Sequence, residues 1–191
     1  MKSSYLERIE MFKERVSSKL DLLREDNPYS RAMLAKLRRA IGKHPHETPE
    51  IWNITLSGHI ADHEYGDFAI TRNELAIHTS LTLFALHMQG NEIYPHNKGV
   101  SFGKALQKLA QENSENYEAV CRRFNRAVIA DNILGLAVHL RGLIRQMRDK
   151  GIGMDYAQLA VDFVDYQNPM KIRKVRHQWG RDFYGTNVDK K

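Results

Sequence analysis

One stretch decides the fold: residues 72–89 read RNELAIHTSLTLFALHMQ. Its apolar residues recur with a helical period and occupy most of the helix circumference rather than one face. A helix of this kind needs other elements to cover it on all sides, so we predict that it lies at the centre of the protein. Polar residues interrupt the apolar run, which is also too short to cross a bilayer.

The rest of the chain is also predicted to be helical, because no stretch alternates like a half-buried strand. We predict helices over 4–24, 29–42, a short segment around Trp52, 101–109 with Ser101 as N-cap, 115–129, 131–149, 155–166 and 169–184. The predicted fold class is therefore all-α, a bundle of about eight to nine helices. We expect one domain over 1–191, with the loop 90–99 as the candidate boundary between two small lobes.

Composition narrows the class of protein. The chain has 191 residues, 42% of them hydrophobic, and only five prolines, which is typical of a globular protein. Its one cysteine, Cys121, excludes an intrachain disulfide. The first residues, MKSSYLERIEMFKERV, are charged and lack the apolar run of a secretory signal. We expect a soluble cytoplasmic protein without membrane association.

The net charge of +6 is sorted into blocks along the chain. Residues 28–45 contain five Lys or Arg and no acid, whereas residues 46–97 contain seven acids and the single Arg72. Residues 98–150 contain ten Lys or Arg against five acids. Such segregation predicts a polyanionic partner, and we favour nucleic acid because the basic faces lack the apolar anchors of a membrane-surface helix.

The predicted helix 131–149 separates its two faces most clearly. At 100° per residue its apolar residues fall on one side, and Arg141, Arg145 and Arg148 form a row beside them. Three further arginines, at 122, 123 and 126, lie on the preceding predicted helix. Together they predict a composite basic surface that can present planar donors to phosphates. The alternative is that these arginines only solvate their helices.

The most basic peptide, residues 171–184, is predicted to be mainly structural. Trp179 and Phe183 belong to an apolar stripe, so we expect them in the core rather than stacked on bases. Arg176 lies at the edge of this stripe and would need a carboxylate if it is partly buried, with Asp162 or Asp165 as the candidates.

The nine histidines do not define an enzyme. His59 and His63 have a spacing that binds metal on a helix, but the glycines around them predict an irregular loop. His78 and His87 lie in the apolar central helix, where we expect hydrogen-bonded core histidines. No phosphate-binding loop or nucleophile motif is present, so we predict no catalytic residues, no metal and no cofactor.

Seven short motifs together resemble one family. They are LRRA (37–40), AIHTSLTLFALH (76–87), SFGKAL (101–106), RRF (122–124), HLR (139–141), DY (155–156) and WGRDFY (179–184). Their order and spacing are similar to those of the CasB family, the small subunit of type I-E CRISPR Cascade. The resemblance covers nearly the whole chain, except that Ser57 to Asp67 matches poorly.

The resemblance implies a non-catalytic helical subunit with no cofactor. Two copies would line the inner side of Cascade beside the duplex of crRNA and target DNA, in contact with the backbone and large subunits. They would stabilise the R-loop, with the displaced non-target strand running over their basic surface. Such a role needs phosphate contacts without base specificity, because the guide reads the sequence.

The candidate nucleic-acid-binding residues come from two sources, the charge pattern of the helices and the family resemblance. Arg39, Arg123 and Arg141 match family arginines implicated in nucleic-acid contact, with Arg72, Lys98 and Arg126 as looser matches. Arg145 and Arg148 follow from the helical wheel alone. The remaining candidates, Arg38, Lys104 and Arg122, lie within or beside the same motifs.

Two other hypotheses remain open from the sequence. A helical architectural or transcriptional DNA-binding protein would also have basic helix faces. A metal-dependent phosphohydrolase would use His59 and His63.

Overall fold

The computed structural model describes residues 2–56, 70–90, 93–112 and 117–185. Within these ranges the chain forms helices and no β-strand, which confirms the all-α prediction. The helices are α1 (Lys2–Arg24), α2 (Pro28–Arg39), α3 (Trp52–Thr55), α4 (Arg72–His87), α5 (Phe102–Glu112), α6 (Tyr117–Val128), α7 (Ile133–Asp149), α8 (Tyr156–Tyr166) and α9 (Ile172–Tyr184).

Short polar side chains cap the starts of these helices. Thr71 accepts a hydrogen bond from the Glu74 amide, while the Glu74 carboxylate accepts one from the Thr71 amide, at 3.2 and 2.9 Å. Asn27, Asn132 and Asp155 cap α2, α7 and α8, each by accepting a hydrogen bond from the amide three residues later. These residues satisfy amides that the first helical turn leaves without a partner.

α4 is the central helix, as predicted. It packs against α2, α7 and α8, and every residue from Ala76 to His87 is buried. Because water does not reach this helix, its polar side chains find partners inside the protein. His78 contacts the Lys43 carbonyl at 3.2 Å, Ser80 donates to the Tyr156 carbonyl at 2.9 Å, and His87 contacts the Tyr156 hydroxyl at 2.9 Å. The two histidines are hydrogen-bonded core residues, as expected.

The second half of the core is aromatic and joins α5, α6 and α9. Phe102 meets Trp179 edge to face at 4.9 Å between ring centroids, and Phe124 stacks on Phe183 at 4.3 Å. Trp179 is 1% exposed and donates to the Asp162 carboxylate at 2.7 Å. Trp179 and Phe183 are therefore core residues, as the helical wheel predicts.

Three predicted helix ends differ from the structure by three residues, and the other described ends differ by at most two. α2 ends at Arg39 rather than at 42, because Gly42 has φ +78° and the chain turns back onto α4. α5 continues to Glu112, three residues past the predicted end. α9 begins at Ile172 rather than at 169, because Asn168 first forms a turn in which its carbonyl accepts the amides of Lys171 and Ile172.

Gly103 explains why α5 and α9 pack so closely. A methyl group at this position would lie 2.5 Å from the Trp179 carbonyl oxygen and 2.6 Å from the Asp182 Cβ. Ser101, which caps α5 through the Lys104 amide, also donates to the Asp182 carboxylate at 2.5 Å. The motifs SFGKAL and WGRDFY are thus two sides of one helix contact.

We expect Gly103→Ala to lower the free energy of unfolding by about 2 kcal/mol, because backbone and a buried side chain must move. Gly142→Ala is the matched control, since a Cβ at this position on α7 would have no neighbour within 4 Å. That change should raise stability by about 0.5–1 kcal/mol through helix propensity. Urea denaturation of both variants measures this, and equal effects would contradict the close contact.

The buried histidines predict a loss of stability in acid. Burial lowers the pKa of His78 and of His87 to about 4, so the unfolded chain binds protons there that the folded chain excludes. Stability from these groups is complete above about pH 6.5 and is lost as the pH falls. Burial raises the pKa of Asp162 to about 6. This one carboxyl therefore binds its proton more tightly in the folded chain, and its contribution to stability grows as the pH falls.

We expect the free energy of unfolding to fall between pH 7 and pH 5 in the wild-type chain. His78→Gln retains an N–H donor for the Lys43 carbonyl but cannot titrate, so its stability should fall by roughly 2 kcal/mol less over the same interval. Urea denaturation at both pH values tests this prediction. An equal fall in the two proteins would show that His78 does not titrate with unfolding.

Candidate nucleic-acid interface

The turn after α2 places the first group of cations. The His78 contact with the Lys43 carbonyl holds this turn against α4. On its other side, a Cβ on Gly42 would lie only 2.6 Å from Val138 Cγ2 and 3.8 Å from the Leu134 carbonyl oxygen. The end of α2 is therefore fixed between α4 and the outer flank of α7.

Two arginines precede this turn. Arg39 is exposed and Arg38 is partly buried. Burial, and then the neighbouring charge of Arg39, lower the pKa of Arg38. No acid occurs between residues 28 and 45, so the repulsion between these cations is not offset within the segment. An anion bound at this surface would relieve both the repulsion and the poor solvation.

The flank of α7 beside this turn carries the second group. Val138 and Leu134 face Gly42, and Arg141 and Arg145 follow at helical spacings of three and seven residues from Val138. Residues at these spacings lie on the same side of a helix. Both arginines are exposed, and no described residue forms an ion pair with either of them. The Gly42 contact thus brings the turn that follows Arg38 and Arg39 next to the flank of α7 that carries Arg141 and Arg145.

Arg148 differs from the other two members of its row. Its Nε and Nη2 atoms both donate to Asp149, at 3.0 and 2.8 Å, and its side chain is only 23% exposed. Asp149 therefore partly neutralises Arg148, unlike Arg141 and Arg145. The charge of Arg148 still affects the core. Burial is the largest cause of the lowered pKa of His87, and the charge of Arg148 is the next largest.

The arginines of α6 all lie on its solvent side. Val120, Phe124 and Ala127 face the core, which leaves Arg122, Arg123 and Arg126 exposed. Arg122 forms a loose ion pair with Glu118 at 3.4 Å, and both side chains are more than two-thirds exposed. Such a pair contributes little to stability, so Arg122 can exchange Glu118 for another anion. Because α6 packs against α7, these arginines extend the basic surface beyond α7.

The other three candidates, Arg72, Lys98 and Lys104, lie on other elements. Arg72 starts α4, where its carbonyl accepts from Gln167 at 2.9 Å. Lys98 lies beside Gly99, whose amide donates to Asp155 at the start of α8. Lys104 lies on the outer face of α5.

Arg176 is structural, but its predicted carboxylate partner is wrong. Its Nη2 donates to the Ala130 carbonyl at 2.9 Å and to the Tyr166 hydroxyl at 3.2 Å, and its guanidinium lies over the Tyr166 ring. Asp162 is bound by Trp179, and Asp165 is bound by Lys171 at 2.8 Å. Arg176 therefore ties the end of α6 to α8 and α9.

No described part of the chain supports a metal site. His59 and His63 lie outside the described residues. Within the ranges that the structure describes, no three His, Cys, Asp or Glu side chains are arranged to hold a metal ion. The described helices also all fall short of the length or apolarity that a membrane span requires.

Sequence reasoning missed two exposed tyrosines beside the basic helices. Tyr117 starts α6 and Tyr184 ends α9, and they are 44% and 51% exposed. The helical wheel places Tyr184 outside the apolar stripe of α9 and Tyr117 at the edge of that of α6. This signal was overlooked because Trp179 and Phe183, the larger neighbours of Tyr184, belong to the core.

Comparisons with known proteins agree on one family. The sequence model of a family described as CRISPR-associated protein Cse2 matches residues 33–184. The fold is similar to that of CasB from Thermobifida fusca, with 28% identity, a TM-score of 0.70, and coverage of 92% of this chain and 96% of that one. No curated protein matches the chain.

Two more distant structures share the fold. A Cse2-family CRISPR-associated protein from Thermus thermophilus has 23% identity and a TM-score of 0.66, with coverage of 91% of this chain and 98% of that one. A chain of a CRISPR RNA-guided surveillance complex has 17% identity and a TM-score of 0.64, with coverage of 92% and 94%.

Proposed function

The chain belongs to the Cse2 family of CRISPR-associated proteins, and we propose that it is the non-catalytic small subunit of a type I-E Cascade complex. In this role it binds nucleic acid without sequence preference and stabilises the R-loop formed by crRNA and target DNA, together with the displaced non-target strand. Its partners are these three strands, the backbone and large subunits, and a second copy of itself. The similarity to a chain of an RNA-guided surveillance complex supports this role.

One observation carries the proposal: the contact of Gly42 with Val138 joins the turn after Arg39 to the flank of α7 that carries Arg141 and Arg145. All three arginines are exposed and pair with no acid among the described residues. A guanidinium binds phosphate oxygens through two donors in fixed geometry, and this contact carries no sequence information. Such a surface suits a protein in which the guide RNA reads the sequence.

The energetics of the R-loop make weak contacts sufficient. The duplex of RNA and DNA that forms is about as stable as the DNA duplex that it replaces. A few phosphate contacts therefore shift the balance, and base contacts are not required. The charge segregation along the sequence serves this end, because the acids are concentrated in other segments and none occurs in the segment 28–45 that contains Arg38 and Arg39.

We expect the isolated protein to bind unrelated single-stranded and duplex oligonucleotides with similar affinity within each class, and with steep loss of affinity as salt rises. The variant Arg39→Ala/Arg141→Ala should bind more weakly. On a single strand, its slope of log affinity against log salt should be lower by about 1.4, or about 0.7 for each phosphate that it no longer neutralises. Fluorescence anisotropy over a salt series measures both quantities.

The control is Arg8→Ala/Lys108→Ala, which removes the same charge from exposed positions on α1 and α5. It should retain the wild-type slope, and circular dichroism should show the same unfolding temperature for all three proteins. A flat salt response in the wild type would exclude the electrostatic mechanism. Strong preference for one duplex sequence would favour a transcriptional or architectural DNA-binding protein instead.

A further inference from the structure

The edge shared by α6 and α9 forms a surface distinct from the α2 and α7 side. The two helices run antiparallel. Near the start of α9, Arg176 donates to the Ala130 carbonyl just past the end of α6. Near the end of α9, the Tyr184 hydroxyl donates to Asn125 at 2.9 Å. The exposed residues of both helices thus border one continuous edge.

Two exposed tyrosines lie along this edge. Tyr117, Cys121 and Asn125 form a row on α6 at spacings of four residues, and the Tyr184 hydroxyl binds the last of them. The pKa of Tyr117 is raised, mainly by its hydrogen bond to the Cys121 thiol and in part by Tyr184. Tyr117 thus lies two helical turns before Asn125, the residue that binds the Tyr184 hydroxyl.

The Tyr184 ring is held in place rather than free to move. Its edge contacts are Phe124, with ring centroids 6.0 Å apart, and Phe183, at 4.7 Å. Together with the hydrogen bond to Asn125, these contacts fix the ring while 51% of the side chain remains exposed. A rigid, half-exposed aromatic ring loses little conformational entropy when another ring stacks on it.

The surroundings of the tyrosines are basic. α6 and α9 carry three and four Lys or Arg, respectively, against one acid each. Asp182, the acid of α9, is bound by Ser101 and Gln178, and Glu118, the acid of α6, pairs with Arg122. One helical turn before Tyr184, nothing lies within 4 Å of a Cβ built on Gly180, so the space beside the ring is open.

We propose that Tyr117 and Tyr184 form a base-stacking site for single-stranded nucleic acid, with the backbone following the cations of α6 and α9. The inference rests on the proposed function, and it adds a preference for unpaired strands. Every base has a π face, so stacking is independent of sequence. The bases of a duplex are already stacked on one another, so they gain nothing from these rings.

The test compares Tyr117→Leu/Tyr184→Leu with the wild type on three probes of equal length: an intact single strand of mixed sequence, the same strand with abasic sites, and a blunt duplex. On the intact strand, we expect the affinity of the variant to be at least about fivefold lower for each tyrosine replaced. On the abasic strand and the duplex, the two proteins should bind equally. Tyr29→Leu is the matched control, because Tyr29 is also 44% exposed but lies on α2.

Tyr184→Phe separates stacking from structure, since it keeps the ring and loses only the hydrogen bond to Asn125. It should bind the intact strand nearly as the wild type does. Equal binding of the intact strand by wild type and the double leucine variant would overturn the inference, as would equal losses on all three probes. The proposed function fails differently, through absence of salt-dependent binding by the wild type.

Discussion

Burial of α4 on all sides obliges each of its polar side chains to find a partner within the protein, because an unpaired polar group in a dry core costs about 1–3 kcal/mol. These partners lie on other segments: His78 reaches the turn after α2, and Ser80 and His87 reach the start of α8. The central helix thus fixes the positions of its neighbours through specific contacts as well as through apolar packing.

The basic surface follows from this arrangement. The contact between His78 and the Lys43 carbonyl holds the end of α2 against α4, and Gly42 allows the same turn to meet α7 closely. The turn after Arg38 and Arg39 then rests on the flank of α7 that carries Arg141 and Arg145. A charge surface assembled from two helices needs such an anchor, because the repulsion between its own cations opposes it. The neutral state of the buried His78 near pH 7 avoids adding to that repulsion.

Arginines of this chain divide into two kinds that composition alone does not separate. Arg176 lies in the most basic peptide, yet its guanidinium is used inside the molecule, on the Ala130 carbonyl and the Tyr166 ring. Arg141 lies in a less basic segment and remains available at the surface. Local charge density is therefore a poor guide to function, and the position of each arginine relative to the apolar stripe of its helix is a better one.

The helical period predicted which face of each helix is buried, and so it correctly placed α4 at the centre and Trp179 in the core. It could not predict which faces of different helices become neighbours, because contacts such as that between Gly42 and Val138 join residues far apart in the chain. The helical period also could not predict which group each charged side chain binds. Asp149 neutralises Arg148 through a side-chain conformation, and Arg176 binds carbonyl and hydroxyl oxygens rather than a carboxylate.

The proposed role of the arginines at the end of α2 and on the flank of α7 is to stabilise an R-loop. The direct measurement is the lifetime of the R-loop in a reconstituted complex that contains either this chain or its Arg39→Ala/Arg141→Ala/Arg145→Ala variant, at physiological salt and with equal incorporation of the subunit. With the variant, the R-loop should dissociate roughly tenfold faster, and the difference should shrink as salt rises. Equal lifetimes in the two complexes would contradict it.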